Sequence, residues 1–273
     1  MPILSDCHLH SSHSGDSDTP MEDMILQGIE KGLTTMCFTE HNDFDFPVTD
    51  LDPEGKFELN TDAYLYDLIR LREKYADRIR ILFGVELGLQ PSCVRKNAVF
   101  AKSYDFDFII GSSHLVRGKD PYYPAYYEGR DEKDAYREYF ESILENIQKF
   151  SNFDVYGHLD YVVRYGPTRD EHYSYSLYRE IIDEILKLLI EKEKGIEINT
   201  GGLKKGMRDV HPYTDIIKRY HELGGEIITI GSDAHTPDQI GYGFERVLDI
   251  LKGCGFQYYT VFEKRLPEYK RIV

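Results

Sequence analysis

Apolar runs of strand length recur along the chain, and most are followed by a segment in which apolar residues return every three or four positions. The runs are "PILSDC", "TTMCFTE", "RIRILFGVE", "FDFIIGSS", "FDVYGH", "GIEINT" and "EIITIGSD". Strand then helix, repeated this way, predicts parallel strands joined by right-handed crossovers. The first helix carries its own start signal, with Thr19 as N-cap, Pro20 at the first helical position and Glu22 completing a capping box. Met21, Ile25 and Ile29 share one face, and Gly32 ends it. "SLYREIIDEILKLLIEKEKG" places Leu177, Ile181, Ile185, Leu188 and Leu189 along one stripe. "PYTDIIKRYHELGG" and "GFERVLDILKGCG" each stop at glycine, where a left-handed C-terminal residue is easiest. The 273 residues would suit two ordinary domains or one α/β barrel. With no linker, low-complexity segment or internal repeat, the pattern is read as one domain over residues 1–273. Two long loops, "NDFDFPVTDLDPEGKFELNTD" and "VRGKDPYYPAYYEGRDEKD", follow the second and fourth strands. In a parallel barrel both lie at the C-terminal mouth, where specificity is built.

Residues able to bind metal gather at the C-terminal ends of these strands. Asp6, His8 and His10 follow the first, His41 the second, Glu86 the third, His114 the fourth, His158 the fifth, and Asp233 with His235 the seventh. In a parallel barrel those ends converge. Residues two apart on an extended chain point the same way, so His8 and His10 can reach one ion, as can Asp233 and His235. A helix would separate each pair by about 200° of rotation. Taken singly, each has a bland explanation, because a histidine ending a strand is common. Taken together they do not, since buried His, Asp and Glu are costly unless paired or metal-bound. Several imidazoles with a few carboxylates suit zinc, iron or manganese better than magnesium or calcium. His172, His211 and His221 read as loop or helix residues outside the set, and His13 lies near it without a clear role.

Charge narrows the partner. A formal −15 opposes binding to extended nucleic acid, and no basic stripe overrides it. A small anion remains possible if positive charge is concentrated at its site. Neither a secretory signal nor an apolar stretch of membrane-spanning length is visible, which predicts a cytoplasmic protein with no membrane partner. Cys7, Cys37, Cys93 and Cys254 form no C-x-x-C pair and read as reduced core thiols.

The motifs "DCHLHSSHSGDSD", "TEHN", "GVELG", "GSSHLV", "GHLD", "EINTGGL" and "GSDAH" span nearly the whole chain. In that order the chain resembles the PHP superfamily of polymerase and histidinol phosphatase domains, and in particular its histidinol-phosphate phosphatases. The resemblance implies a distorted (β/α)7 barrel with three divalent ions. His8, His10, Glu86 and Asp233 would surround the first ion. Glu86 would bridge to a second, completed by His114 and His158. Asp16, His41 and His235 would hold the third, with His13 the nearest rival to Asp16. Asp6 and Asp160 would orient imidazoles from behind.

The implied reaction is hydrolysis of L-histidinol phosphate to L-histidinol and phosphate in histidine biosynthesis. A hydroxide shared by two ions would attack phosphorus in line while the ions neutralise developing charge. His8, His10, Glu86, His114, His158, Asp233 and His235 form the catalytic set. Three divalent ions against Asp16, Glu86, Asp233 and the hydroxide leave about two positive charges locally, matching a phosphate dianion. Asn42, Arg117, Arg164 and Asn199 are placed to contact substrate, and the aromatic loop "PYYPAYYEG" offers rings to stack on an imidazole. Another phosphoesterase of the superfamily, acting on phosphotyrosine or short DNA ends, is the first alternative. A non-catalytic metal-binding module is the second. An amidohydrolase would need a bridging lysine at a strand end, and none closes a strand here.

Overall fold

The computed structural model describes residues 3–272. β1 (Ser5–Leu9), β2 (Thr35–Asn42), β3 (Arg80–Gly88), β4 (Phe108–Ser112), β5 (Val155–Tyr156), β6 (Gly195–Asn199) and β7 (Ile228–Gly231) form one seven-stranded sheet in chain order. Every neighbouring pair is parallel. Just beyond β7 the chain returns to β1: Leu9 bridges Ala234, Asp233 N–H donates to the His8 carbonyl at 2.8 Å, and His10 N–H to the Ala234 carbonyl at 2.8 Å. The barrel closes there, at the end that carries the polar residues. The strands are almost entirely buried, as expected of parallel strands covered on both faces.

Helices α1 (Met21–Glu30), α2 (Thr61–Lys74), α3 (Val94–Ser103), α4 (Glu132–Lys149), α5 (Arg179–Glu191), α6 (Gly201–Lys204), α7 (Thr214–Glu222) and α8 (Phe244–Cys254) connect the strands. Two local expectations need correction. Thr19 does not cap α1, because its hydroxyl donates instead to the His235 carbonyl at 2.9 Å, and Pro20 occupies the flanking position. Glu22 likewise bonds outward, to the Tyr75 hydroxyl at 2.5 Å. Tertiary partners took both halves of the capping box, tying the first loop to the β7 loop. In α5 the buried stripe is Ile182, Ile185, Leu186 and Leu189. Leu177 stands in a separate turn before the helix and is exposed, so the stripe is rotated from the sequence assignment.

β8 (Tyr258–Glu263) and β9 (Leu266–Arg271) add an antiparallel hairpin outside the seven expected strands, although the aromatic and β-branched run "YYTVFE" was an available signal for its first strand. It covers the N-terminal opening of the barrel. Arg265 bonds Asp154 at 2.6 Å, Arg80 bonds Glu268 at 3.1 Å, and Phe262 stacks on Phe108 with centroids 5.3 Å apart. Among the described residues no helix is long and apolar enough to cross a membrane. All four cysteines are buried and unpaired.

Candidate metal centre

Each strand end delivers its side chain by alternation. On β1 and its extension His8 and His10 share a side, and their Nε2 atoms lie 3.1 Å apart. The close approach of β7 makes Gly231 obligatory, since a Cβ there would stand 2.2 Å from that of His8. Glu86, fully buried on β3, is the hub. Its Oε1 is 2.9 Å from His158 Nε2 and 3.2 Å from His114 Nε2. Its Oε2 is 3.0 Å from His41 Nδ1, 3.2 Å from His8 Nε2 and 3.7 Å from His10 Nε2. Asp233 Oδ1 lies 3.5 Å from His10 Nε2 and 3.7 Å from His8 Nε2. Asp233 adopts φ 55°, a left-handed backbone unusual outside glycine, of the kind that persists where surroundings over-determine it. Asp16 Oδ2 reaches His235 Nε2 at 3.2 Å and His41 Nε2 at 3.5 Å. His13 turns away to Asp67, 3.2 Å distant, which leaves Asp16 facing the cluster.

All nine residues named for metal thus meet at one mouth. Three subsets bring ligand atoms within 4.8 Å of one another: His8, His10 and Asp233; His41, Glu86 and His114; and His10, His41 and His235. His10 and His41 each belong to two, a sharing that strand positions alone did not indicate.

The donor set fits divalent transition metal ions. Glu86 Oε2 and His41 Nδ1, although 3.0 Å apart, and His235 Nε2 are buried atoms that form no hydrogen bond. Buried polar groups are rarely left so, and neutral imidazoles converging with carboxylates are the ligands such ions select. Titration behaviour carries the same sign. Burial opposes charge on His8 and His41, but the carboxylates around them hold both well above the ordinary imidazole range. His114 is likewise opposed by burial yet raised to about 10 by Asp43 and Glu86. Burial would raise Glu86, Asp16 and Asp233, and the neighbouring imidazoles instead hold them well below the usual carboxylate range. Burial lowers His10 to about 3, with His41 and His235 adding to the effect. Three carboxylates packed this densely demand cationic charge, from protons or from metal.

Behind the cluster stand acceptors that fix the rings. Glu197 Oε1 is 2.6 Å from His8 Nδ1 and Asp43 Oδ1 is 2.7 Å from His114 Nδ1. Ser14 lies 3.0 Å from His10 Nδ1, and its hydroxyl donates to Glu40 at 2.6 Å. Sequence reasoning missed Glu197, Asp43 and Glu40; an acidic residue inside an apolar run, as in "GIEINT" and "CFTEHN", was the available signal for Glu197 and Glu40, while Asp43 opens the polar loop after β2 and had none. Asp6 and Asp160 do not take this role. Asp6 accepts the Ser232 N–H at 2.9 Å and hydroxyl at 2.6 Å, bracing the β1–β7 join, and burial raises it to about 6. Asp160 holds His211 instead. Replacing Glu197 by glutamine should weaken metal affinity by about 10- to 100-fold. Competition with a chromophoric chelator measures it, and unchanged affinity would deny Glu197 this part.

A cavity of about 620 Å³ opens over the cluster, lined by Asp16, His41, His114, His158, Asp233 and His235. Both long loops contribute to it. Phe46, Phe57, Tyr122 and Tyr123 supply aromatic surface with Asp52 and Asp120, while Arg164, Lys204 and Lys205 supply cations. Tyr126 and Tyr127 of the aromatic loop pack into the core instead. Of the four residues named for substrate, Arg164 lines the cavity, buried, with Nη1 3.3 Å from Asp233 and Nη2 3.4 Å from Asn199 Oδ1. Asn199 sits behind it. Asn42 and Arg117 are corrections. Asn42, adjacent to His41 on an extended strand, points the other way and accepts the Leu59 N–H at 3.1 Å. Arg117 lies in an exposed turn at φ 49°, 3.5 Å from Glu138.

Fold and cluster together define the class: a seven-stranded α/β barrel with a histidine- and carboxylate-rich metal-type centre at its mouth. The chain belongs to the PHP domain family, which matches over residues 6–201. It is 35% identical over 268 residues to a probable histidinol-phosphatase of Clostridium acetobutylicum, covering 98% of this chain and all of that one. To the histidinol-phosphatase of Lactococcus lactis it is 35% identical, covering 94% and 93% of the two chains. The crystal structure of the histidinol phosphate phosphatase from Lactococcus lactis, complexed with zinc, L-histidinol and phosphate, superposes with TM-score 0.88 at 33% identity, over 97% of this chain and 98% of that one.

Proposed function

We propose that this protein is a metal-dependent phosphatase, one phosphoesterase domain, that hydrolyses L-histidinol phosphate to L-histidinol and inorganic phosphate in histidine biosynthesis. The observation that carries the reading is one cavity joining a nine-residue metal-type cluster and a buried arginine to an acidic, aromatic lining. Relatives bearing that activity, one of them seen with zinc, L-histidinol and phosphate, support it.

Three divalent ions, zinc, iron or manganese, are assigned to His8, His10, Glu86 and Asp233; to Glu86, His114 and His158; and to Asp16, His41 and His235. The partition follows the family resemblance and is compatible with the short distances within each set, while His41, 3.0 Å from Glu86, stands between the second set and the third. Bound there, such ions activate water and neutralise charge on phosphoryl oxygens. The chain's own residues do the rest. Glu86 keeps two sets in register through its two oxygens. Arg164, whose Nε has no partner in the fold, donates to the phosphoryl group, while Asp233 and Asn199 hold its other nitrogens. The charge count of the sequence reading shifts, since Glu197 and Asp43 add negative charge behind the rings and Arg164 adds positive charge in front.

Asp120 suits the substrate's ammonium group. It lines the cavity, burial pushes it up to about 6 against the charge of His114, and its hydrogen bond comes from the Tyr122 N–H at 2.7 Å, with no ion pair to a lysine or arginine among the described residues. Asp120→Asn should lower kcat/KM for histidinol phosphate by about 10- to 100-fold, the weight of one charge-assisted hydrogen bond. Hydrolysis of p-nitrophenyl phosphate, which has no ammonium, should be unchanged. Equal losses on both esters would remove Asp120 from recognition. The same carboxylates repel a polyanion, which disfavours a DNA-end substrate. The four unpaired thiols fit a reducing compartment, and we assign the enzyme to the cytoplasm. Assaying the metal-loaded protein on histidinol phosphate, phosphotyrosine and a short oligonucleotide tests the reading: histidinol phosphate should lead by orders of magnitude in kcat/KM. Preference for either rival would replace it.

A further inference from the structure

Behind the corner between β6 and α6 lies a histidine that the metal centre does not use. His211 is fully buried, and its Nδ1 stands 2.5 Å from Oδ1 of Asp160, itself fully buried. The second Asp160 oxygen accepts the Tyr213 N–H at 3.0 Å. The main chain of His211 pairs with Asn199 in both directions, at 2.7 and 2.8 Å. On its far side Nε2 has no partner and presses against α6, where a Cβ on Gly202 would come within 2.4 Å.

The two segments joined by this contact both hold Arg164. Asp160 leads into the turn Tyr161–Arg164, and its carbonyl accepts the Val163 N–H at 3.0 Å. Asn199, paired to His211 through the backbone, faces Arg164 Nη2 and accepts the Gly201 N–H at 2.9 Å. A carboxylate with no access to water must stay bonded, and a short charge-assisted bond to an imidazole N–H leaves it little freedom. Neither segment can then slide without breaking it.

We propose that Asp160 and His211 form a positioning pair that fixes Arg164 in the cavity and thereby sets the affinity for the phosphoryl group. This rests on Arg164 contacting phosphate, as in the proposed function. Displacement of a binding group by 1 Å can cost about 10²-fold, so the effect is measurable although His211 touches no ligand.

The test is the dissociation constant of inorganic phosphate for the metal-loaded protein, by calorimetry, with bound ions and Tm recorded for every variant. R164A should weaken phosphate by about 10- to 100-fold, and H211A by about tenfold with its ions retained. H211N, whose amide N–H can stand near the place of Nδ1, should recover most of the loss. In the R164A background, H211A should have no further effect, which is the signature of two residues acting as one. Additive losses, or wild-type phosphate affinity in H211A, would overturn the proposal. Should H211A fail to fold, D160N takes its place in the cycle with the same expectation. The phosphatase reading fails separately, if the unmodified metal-loaded protein binds phosphate with this pattern yet hydrolyses no phosphomonoester.

Discussion

Replacing Glu86 by glutamine should strip the centre of ions and lower kcat/KM by about 10³-fold or more, beyond the 10- to 100-fold expected of a group that only orients a ligand. The reason is its geometry. One carboxylate places Oε1 against His114 and His158 and Oε2 against His8, His10 and His41, all within 3.7 Å. Glutamine keeps the shape, removes the charge, and turns an amide toward atoms that need an acceptor. In chelated protein the same change leaves raised imidazoles without their counter-charge, at a cost of about 3–5 kcal/mol for breaking a buried pair. Elemental analysis and a phosphate-release assay read both effects. Full ion content with more than a tenth of wild-type activity would show that Glu86 is not the hub.

Removing the ions should reverse the pH dependence of stability between pH 7 and 10. In the metal-free protein His8 and His41 sit well above 6.5, and His114 at about 10. A group whose folded pKa is raised gives stability that is complete below its unfolded value and lost as pH climbs through the folded one. The chelated protein should therefore lose Tm as pH rises from 7 toward 10. His10, lowered to about 3, acts in the other direction and removes stability as pH falls below 6.5. The loaded protein needs neutral imidazoles, so its metal affinity and Tm should hold or rise over the same alkaline range. Metal addition at pH 7 should accordingly release protons, detectable by calorimetry in buffers of different ionisation enthalpy. Parallel Tm profiles with and without chelator would contradict this.

Much of the fold was legible because parallel strands buried on both faces read as largely apolar runs, and all seven runs so marked became strands of the barrel. The cluster was legible because ligands at strand ends converge in any barrel. What escaped was set by distant partners. Glu197 meets His8 across 189 positions, and Thr19 forsakes its helix for the His235 carbonyl 216 positions away; neither leaves a local trace. The final strand alternates exposed with half-buried residues and lacks an apolar run to mark it. Asn42 is a different kind of miss. The alternation that pairs His8 with His10 also turns the neighbour of His41 outward, so the rule that found the site already excluded that residue.

The most direct test of the central claim is release of inorganic phosphate from L-histidinol phosphate by the same sample before chelation, after exhaustive chelation, and after zinc or manganese is returned, with ions counted at each stage. Turnover should vanish as the ions leave and recover as they return, approaching three per chain at full activity. Undiminished turnover in protein shown to hold no ions would contradict the account.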